Sequence, residues 1–279
     1  MPITLPNGSI YKLCLLDTNA LSEIVKQPSN EGRGYIERFP PSEYVPCFTV
    51  YNLFEIRRVP ETFRKFVAFF RIYPSLLARP FQQILDAEIA AKGRAAVNDI
   101  LLRAFTPLGS DSSYDFGHFI DSLFTDPAVR QLELDWRTRD QVVLDTWQRN
   151  KSNFETTSSV PTARDAQRFV HDACVDTLCQ IRPEYVKAVL ETNDLSALQM
   201  LSSVQVMLYS QYYRIFDPTW KLENQEATDV YISSTAPYVD AVVTEKRQAE
   251  VYRKVQKHVN GMHVMIATLS DIRHEKRKP

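Results

Sequence analysis

Glycine is scarce in this chain, with seven residues among 279. None is arranged as a loop that cradles phosphates on backbone amides, which argues against the common nucleotide-binding folds. Cysteine is scarce too: Cys14, Cys47, Cys174 and Cys179 are few for this length. Cys14 and Cys47 lie in apolar, strand-like runs, where a reduced thiol behaves as a small hydrophobe. No apolar run approaches the length of a membrane span, and Met1-Pro2-Ile3-Thr4-Leu5-Pro6 has no signal-peptide pattern. Cytoplasmic residence without a membrane partner is the resulting expectation. A charge excess of either sign is also lacking, since the formal net charge is −1. No global basic field announces a nucleic-acid binder, although a local basic patch is compatible with a balanced total. What remains is 44% hydrophobic and 24% charged, the balance of an ordinary soluble chain with a large core.

Within that frame the tripeptide Asp17-Thr18-Asn19 stands out. It follows the apolar run Tyr11-Lys12-Leu13-Cys14-Leu15-Leu16, which reads as a buried strand. It opens a segment with Ala20, Leu21, Ile24 and Val25 at helical spacing. A carboxylate at the carboxyl end of a strand sits where open α/β sheets bind ligands, although Asp and Thr are also ordinary helix caps. The alternation continues with a short helix from Arg33 to Phe39, a strand at Tyr44-Val45-Pro46-Cys47-Phe48, and a helix capped by Thr49 that Pro60 ends. It returns near the other end of the chain. Ala227-Thr228-Asp229 opens a helix, Ala241-Val242-Val243 is β-rich, Gln248 to Val259 is helical, and Val264-Met265-Ile266 is a strand.

Between these parts, residues 61–216 read as helices. Glu61 to Tyr73 is rich in Phe, and Leu85 to Phe105 carries helical spacing. Asp126 to Asn150, Ala163 to Ile181 and Leu198 to Phe216 are long helices, and Gly109 to Ser113 is a loop. The expectation is an α/β domain with a parallel central sheet, formed by residues 1–60 and 217–279. Residues 61–216 would form an all-helical insertion or cap.

Four acids can meet at one edge of such a sheet: Asp17 and Glu245 at strand ends, Glu55 and Asp229 from helices. Clustered carboxylates raise one another's pKa unless a cation neutralises them. Oxygen-only ligands suit Mg²⁺ or Mn²⁺. Asp240 rivals Glu245 as the fourth acid. However, Asp240 starts its strand, and at about 3.3 Å per residue it falls far from the carboxyl end.

These residues carry a resemblance. Leu15-Leu16-Asp17-Thr18-Asn19-Ala20-Leu21-Ser22-Glu23 resembles the opening motif of the PIN-domain family of metal-dependent nucleases. Phe48-Thr49-Val50-Tyr51-Asn52-Leu53-Phe54-Glu55 is similar to its second motif, a Thr followed by a helix bearing a Glu. Asp229 to Lys246, with Asp240-Ala241-Val242-Val243-Thr244-Glu245, resembles the third and fourth. The resemblance implies a three-layer α/β/α domain that hydrolyses RNA, single-stranded rather than duplex. One or two Mg²⁺ or Mn²⁺ ions would be held by Asp17, Glu55, Asp229 and Glu245, with Thr18, Asn19 and Thr244 in support. Products with a 5′-phosphate and a 3′-hydroxyl are implied as well.

Three departures accompany the resemblance. Glu245 stands where the family usually has Asp, Asp240 competes with it, and Glu55 and Asp229 are 174 positions apart. Many family members resemble toxins of toxin–antitoxin pairs, but those chains are shorter, and that role is not assigned. A scaffold that binds RNA or a protein partner through residues 61–216 without cutting is the alternative.

Other clusters read more simply. His171, Cys174 and Cys179 lack a fourth zinc ligand nearby, so a core histidine beside a buried thiol is preferred. Phe63, Phe66, Phe69 and Phe70 suit an amphipathic helix better than base stacking. Arg57 and Arg58, beside Glu55, are placed to meet a nucleic-acid backbone, with plain solvation the simpler reading. The basic tail from Arg273 to Lys278 reads as disordered.

Overall fold

Leu13, Cys14, Leu15 and Leu16 are wholly buried, which is why their run needs no polar alternation: a strand covered on both faces reads as continuously apolar. Each fully buried leucine contributes roughly 1.5–3 kcal/mol. The computed structural model describes residues 3–4, 10–73, 75–104, 116–155, 162–194, 196–223 and 226–273. Its strands are β1 (Ile3–Thr4), β2 (Ile10–Leu16), β3 (Tyr44–Thr49), β4 (Leu76–Ala78), β5 (Leu101–Ala104), β6 (Ala241–Thr244) and β7 (Met265–Thr268).

The strands form one sheet in the order β5-β4-β3-β2-β6-β7, with β1 paired to the start of β2. The five strands β4, β3, β2, β6 and β7 are parallel, and β5 and β1 join antiparallel. The chain grows from β2 through β3 to β4 on one side, then places β6 and β7 on the other. The boundary between β2 and β6 is therefore a topological switch point, where open α/β sheets form their ligand crevice. Register there is set by Cys14 opposite Ala241, Leu15 opposite Val242 and Leu16 opposite Val243.

The helices are α1 (Thr18–Lys26), α2 (Arg33–Arg38), α3 (Val50–Arg57), α4 (Pro60–Phe70), α5 (Phe81–Ala90), α6 (Val97–Ile100), α7 (Phe116–Thr125), α8 (Pro127–Glu155), α9 (Ala163–Ile181), α10 (Pro183–Thr192), α11 (Ser196–Gln199), α12 (Ser202–Ile215), α13 (Glu226–Ser233), α14 (Lys246–Val255) and α15 (Leu269–Ile272). A π-helical turn, Pro28–Gly32, links α1 to α2, and a 3-10 turn, Ala236–Tyr238, leads into β6. Among the described residues, three helices begin with reciprocal caps: Thr49 with Asn52, Thr162 with Asp165, and Thr268 with Asp271. Each cap satisfies two backbone amides that the helix itself leaves unpaired.

Residues 61–216 are not all-helical as expected. β4 and β5 lie inside that segment and extend the sheet, pairing with β3 and with each other. The reading of Leu85 to Phe105 as helical is corrected accordingly: α5 ends at Ala90, α6 is a single turn, and β5 follows directly. Val97, Ile100 and Leu101 mimic helical spacing across what is a helix-to-strand junction. One hydrophobic cluster runs through both parts of the chain, from Leu13 and Phe48 to Trp136, Leu208 and Val251. The Phe-rich helix α4 serves that core, with Phe66 and Phe70 buried edge-on against Phe48.

Two other expectations have definite outcomes. Arg273 is not part of a free tail, since its Nε pairs with the buried Glu31 at 3.0 Å; residues 274–279 lie outside the described ones, as does the Gly109–Ser113 loop. Among the described residues no helix is long and apolar enough to cross a membrane.

Candidate active site

Asp17 ends β2 and caps α1. Its backbone is extended (φ −72°, ψ 167°), the conformation that frees a cap side chain to fold back on its helix. Oδ1 accepts from the Ala20 amide at 2.6 Å. Oδ2 accepts from the Thr244 hydroxyl and from the Glu245 amide, the latter at 3.3 Å. The Asp17 amide in turn donates to Val243 O at 3.1 Å. The ends of β2 and β6 are thus tied together through this one residue, which is both a helix cap and a buried carboxylate, 4% exposed.

Glu55 comes from the second turn of α3, which Thr49 starts at the carboxyl end of β3. Its Oε2 accepts from the Thr18 hydroxyl. Asn52 Nδ2 donates to the same Thr18 oxygen at 3.1 Å, while Asn52 Oδ1 accepts from the Thr49 amide and hydroxyl, each at 2.8 Å. The chain Thr49–Asn52–Thr18–Glu55 therefore links the first two sequence motifs through hydrogen bonds. Asn52 was not anticipated as a site residue. Asn19 is exposed on the first turn of α1, beside this network.

Asp229 lies in the first turn of α13. That helix leads back to the amino end of β6, so its first turn reaches the carboxyl edge of the sheet. Glu245 caps α14 with no side-chain bond to its own helix, leaving its carboxylate exposed and free to face the others. Asp240 is elsewhere. Its Oδ2 accepts from the Leu13 amide at 2.9 Å, at the opposite end of the β2–β6 pair, and this stands against it as the fourth acid.

The four acids act on one another. Burial, then the charge of Asp229, push the Asp17 carboxyl up to about 7, with Glu245 adding to the effect. Burial and Asp229 push Glu55 up to about 8. Glu245, although exposed as a residue, is raised by partial desolvation of its carboxyl and by Asp229. Asp229 itself is pushed up to about 6 by burial, against the opposing pull of Arg214. About a fifth of its side chain (21%) still reaches the surface.

Two further residues complete the group. Asp140, on α8, is raised to about 6 by burial and by Asp229, and its charge also acts on Glu55. Its Oδ1 is buried without a hydrogen-bond partner among the described residues. Arg214, at the end of α12, is wholly buried. Its Nη1 donates to Glu226 O at 2.8 Å and Oε2 at 2.5 Å, and its Nη2 donates to Gln248 Oε1 at 2.5 Å and Asp229 Oδ2 at 3.3 Å. The one signal for it in the sequence is an arginine inside the apolar pattern of α12. Asp140 has no comparable signal, being one polar residue in a largely exposed helix.

Family models, characterised proteins and solved structures were each compared with the chain, and none matches.

The side chains gathered here offer oxygen donors only, the kind hard cations prefer, with more carboxylates than the buried Arg214 guanidinium neutralises. Among the described residues, no group of three or more His, Cys, Asp or Glu side chains stands close enough together to hold a metal ion. Mg²⁺ does not need one, because it keeps several waters and binds through one or two carboxylates. The residues present therefore fit such an ion. The zinc alternative does not gain: Cys174 is buried with its Sγ 3.8 Å from Leu198 O and Cys179 is exposed, while His171, expected in the core, is exposed and faces Asp172 at 3.2 Å.

Proposed function

We propose that this chain is a PIN-like, divalent-cation-dependent nuclease that hydrolyses phosphodiester bonds, with single-stranded RNA as its substrate. The observation that supports the reading is that the charge of Asp229 acts on Asp17, Glu55 and Glu245 beside the tied ends of β2 and β6, with the four acids in the order and context of the family's motifs. Mg²⁺ or Mn²⁺ would be held among these four acids, through one or two carboxylates directly and through its own waters to the others, and, when bound, would polarise the scissile phosphate and offset its charge. The chain's own residues supply position. Thr244 and the Ala20 and Glu245 amides fix both oxygens of Asp17, and Thr18 and Asn52 fix Glu55. Arg214 holds Asp229 and limits repulsion within the cluster.

The test is cleavage of labelled single-stranded RNA with Mn²⁺ by wild type, Asp17→Asn and Asp229→Asn. Cleavage is expected for wild type, with a loss of at least about 100-fold in each variant, the scale of losing a group that stabilises transition-state charge. Equal rates in all three would sink the site.

The Arg214–Asp229 contact favours a second reading, in which a built-in cation replaces a metal and the fold is a non-cutting scaffold. Under it, wild type binds RNA but cleaves neither RNA nor DNA with any divalent ion.

A further inference from the structure

We propose that the groove between α3 and α8 binds the phosphate backbone of a nucleic-acid strand and leads it to the acidic cluster. The identity of the polyanion rests on the nuclease reading above. This assigns a role to part of residues 61–216: α8 supplies one wall of the substrate path.

The groove encloses about 420 Å³ and is lined by Arg57 and Arg58 from the end of α3 and by Arg130, Glu133 and Arg137 from α8. Four guanidiniums face one carboxylate, in a chain whose overall charge is −1. On α8 the three charged residues fall at i, i+3 and i+7, one face of a helix. Arg130 and Arg137 are thereby spaced about 10 Å apart along the axis at 1.5 Å per residue.

These arginines are held mostly by groups other than carboxylates. The Arg57 guanidinium lies 4.2 Å from the Phe124 ring centroid, and that of Arg58 lies 4.6 Å from that of Trp136. Arg130 Nε donates to Phe124 O at 3.1 Å. Glu133 is shared, meeting Arg137 at 2.5 Å and Arg57 at 3.6 Å. Aromatic and backbone contacts orient Arg57, Arg58 and Arg130, and one carboxylate divided between Arg57 and Arg137 cannot neutralise both, which leaves planar donor forks for phosphate oxygens. Arg57 and Arg137 are 46% and 53% exposed, so they are open to a ligand.

The position of the groove selects its occupant. Arg58 is three residues beyond Glu55, and its charge acts on both Glu55 and Asp140. Arg137 is three residues before Asp140 on α8. The basic groove therefore runs into the acidic cluster within one helical turn on each wall. A phosphodiester strand matches that sequence of charges, with flanking phosphates on the arginines and one phosphate delivered to the cation site. An acidic peptide would satisfy the rim and have no use for the centre.

The experiment measures binding of fluorescein-labelled single-stranded RNA by anisotropy. It uses full-length protein carrying Asp17→Asn, in EDTA, over a range of salt. Adding R130Q/R137Q is expected to weaken binding at least tenfold. The slope of log K against log salt is expected to shrink by about 0.7 for each phosphate that the variant no longer neutralises. R164Q/R168Q, which removes equal charge from exposed positions on α9, should stay within twofold. Glu133→Gln frees Arg57 and Arg137 and should tighten binding about threefold, a gain that misfolding cannot mimic. No RNA binding by the Asp17→Asn protein, equal weakening by both double variants, or stronger binding of polyglutamate than of RNA would overturn the proposal. Binding is read without catalysis, so a groove that behaves as expected in a protein that never cuts RNA would refute the nuclease reading alone.

Discussion

At the scale of single residues, Glu55 shows what the site costs the fold. Its carboxyl is raised to about 8 in the folded chain, against an ordinary value of about 4.3. Between those values the folded protein holds more protons than the unfolded one, so stability falls as pH rises. This contribution is fully present below about pH 4 and is lost as pH passes about 8. Asp17 and Asp229, raised to about 7 and about 6, act in the same direction. Without a divalent ion, the melting temperature is therefore expected to decline from about pH 5 to about pH 8.5. Glu55→Gln keeps an acceptor for Thr18 while removing the charge. It should flatten the decline and raise Tm at the alkaline end by about 2–4 °C, equivalent to about 1 kcal/mol for a chain of this size. Differential scanning calorimetry in EDTA reads this directly, and superimposable wild-type and variant curves would refute it.

At the scale of elements, Arg214 joins three helices: it leaves α12 and meets Glu226 and Asp229 on α13 and Gln248 on α14. Removing one side of a buried, hydrogen-bonded ion pair is expensive because the other side stays buried and unpaired. Arg214→Met should lower the unfolding free energy by about 3–5 kcal/mol in urea titrations. Arg214→Lys should recover only part of it, since an ammonium cannot span the same acceptors as a planar fork. A decrease under about 0.5 kcal/mol, the range of ordinary surface substitutions, would show that Arg214 carries little of the stability.

Elements also mark what the sequence makes legible. β2, β3 and β6 are readable because each is mainly apolar and runs straight into the N-cap position of a helix: Asp17, Thr49 and Glu245. The same caps start the helices at the site, so the local signal and the functional one coincide. β4 is three residues long, too short to show a period, and β5 follows α6 with no breaker between them. Asp140 and Arg214 reach the site through tertiary packing of α8 and α12, and no local pattern encodes that.

At the scale of the whole molecule, residues 61–216 are woven into the sheet through β4 and β5 and into the acidic cluster through α8 and α12. The expectation of an all-helical addition understated this, because an interrupted α/β pattern does not reveal which inserted strands pair back to the sheet. On the reading proposed above, the resulting cluster of acids exists to bind a divalent cation. Titration of Mn²⁺ into the intact protein by calorimetry at about pH 7.5, in two buffers of different ionisation enthalpy, tests this most directly. The raised carboxyls of Asp17 and Glu55 must shed protons when an ion binds. The expected result is saturable binding whose apparent enthalpy differs between the buffers by the heat of the released protons, with binding abolished in Asp17→Asn. Absence of Mn²⁺ binding, or identical binding by wild type and Asp17→Asn, would contradict it.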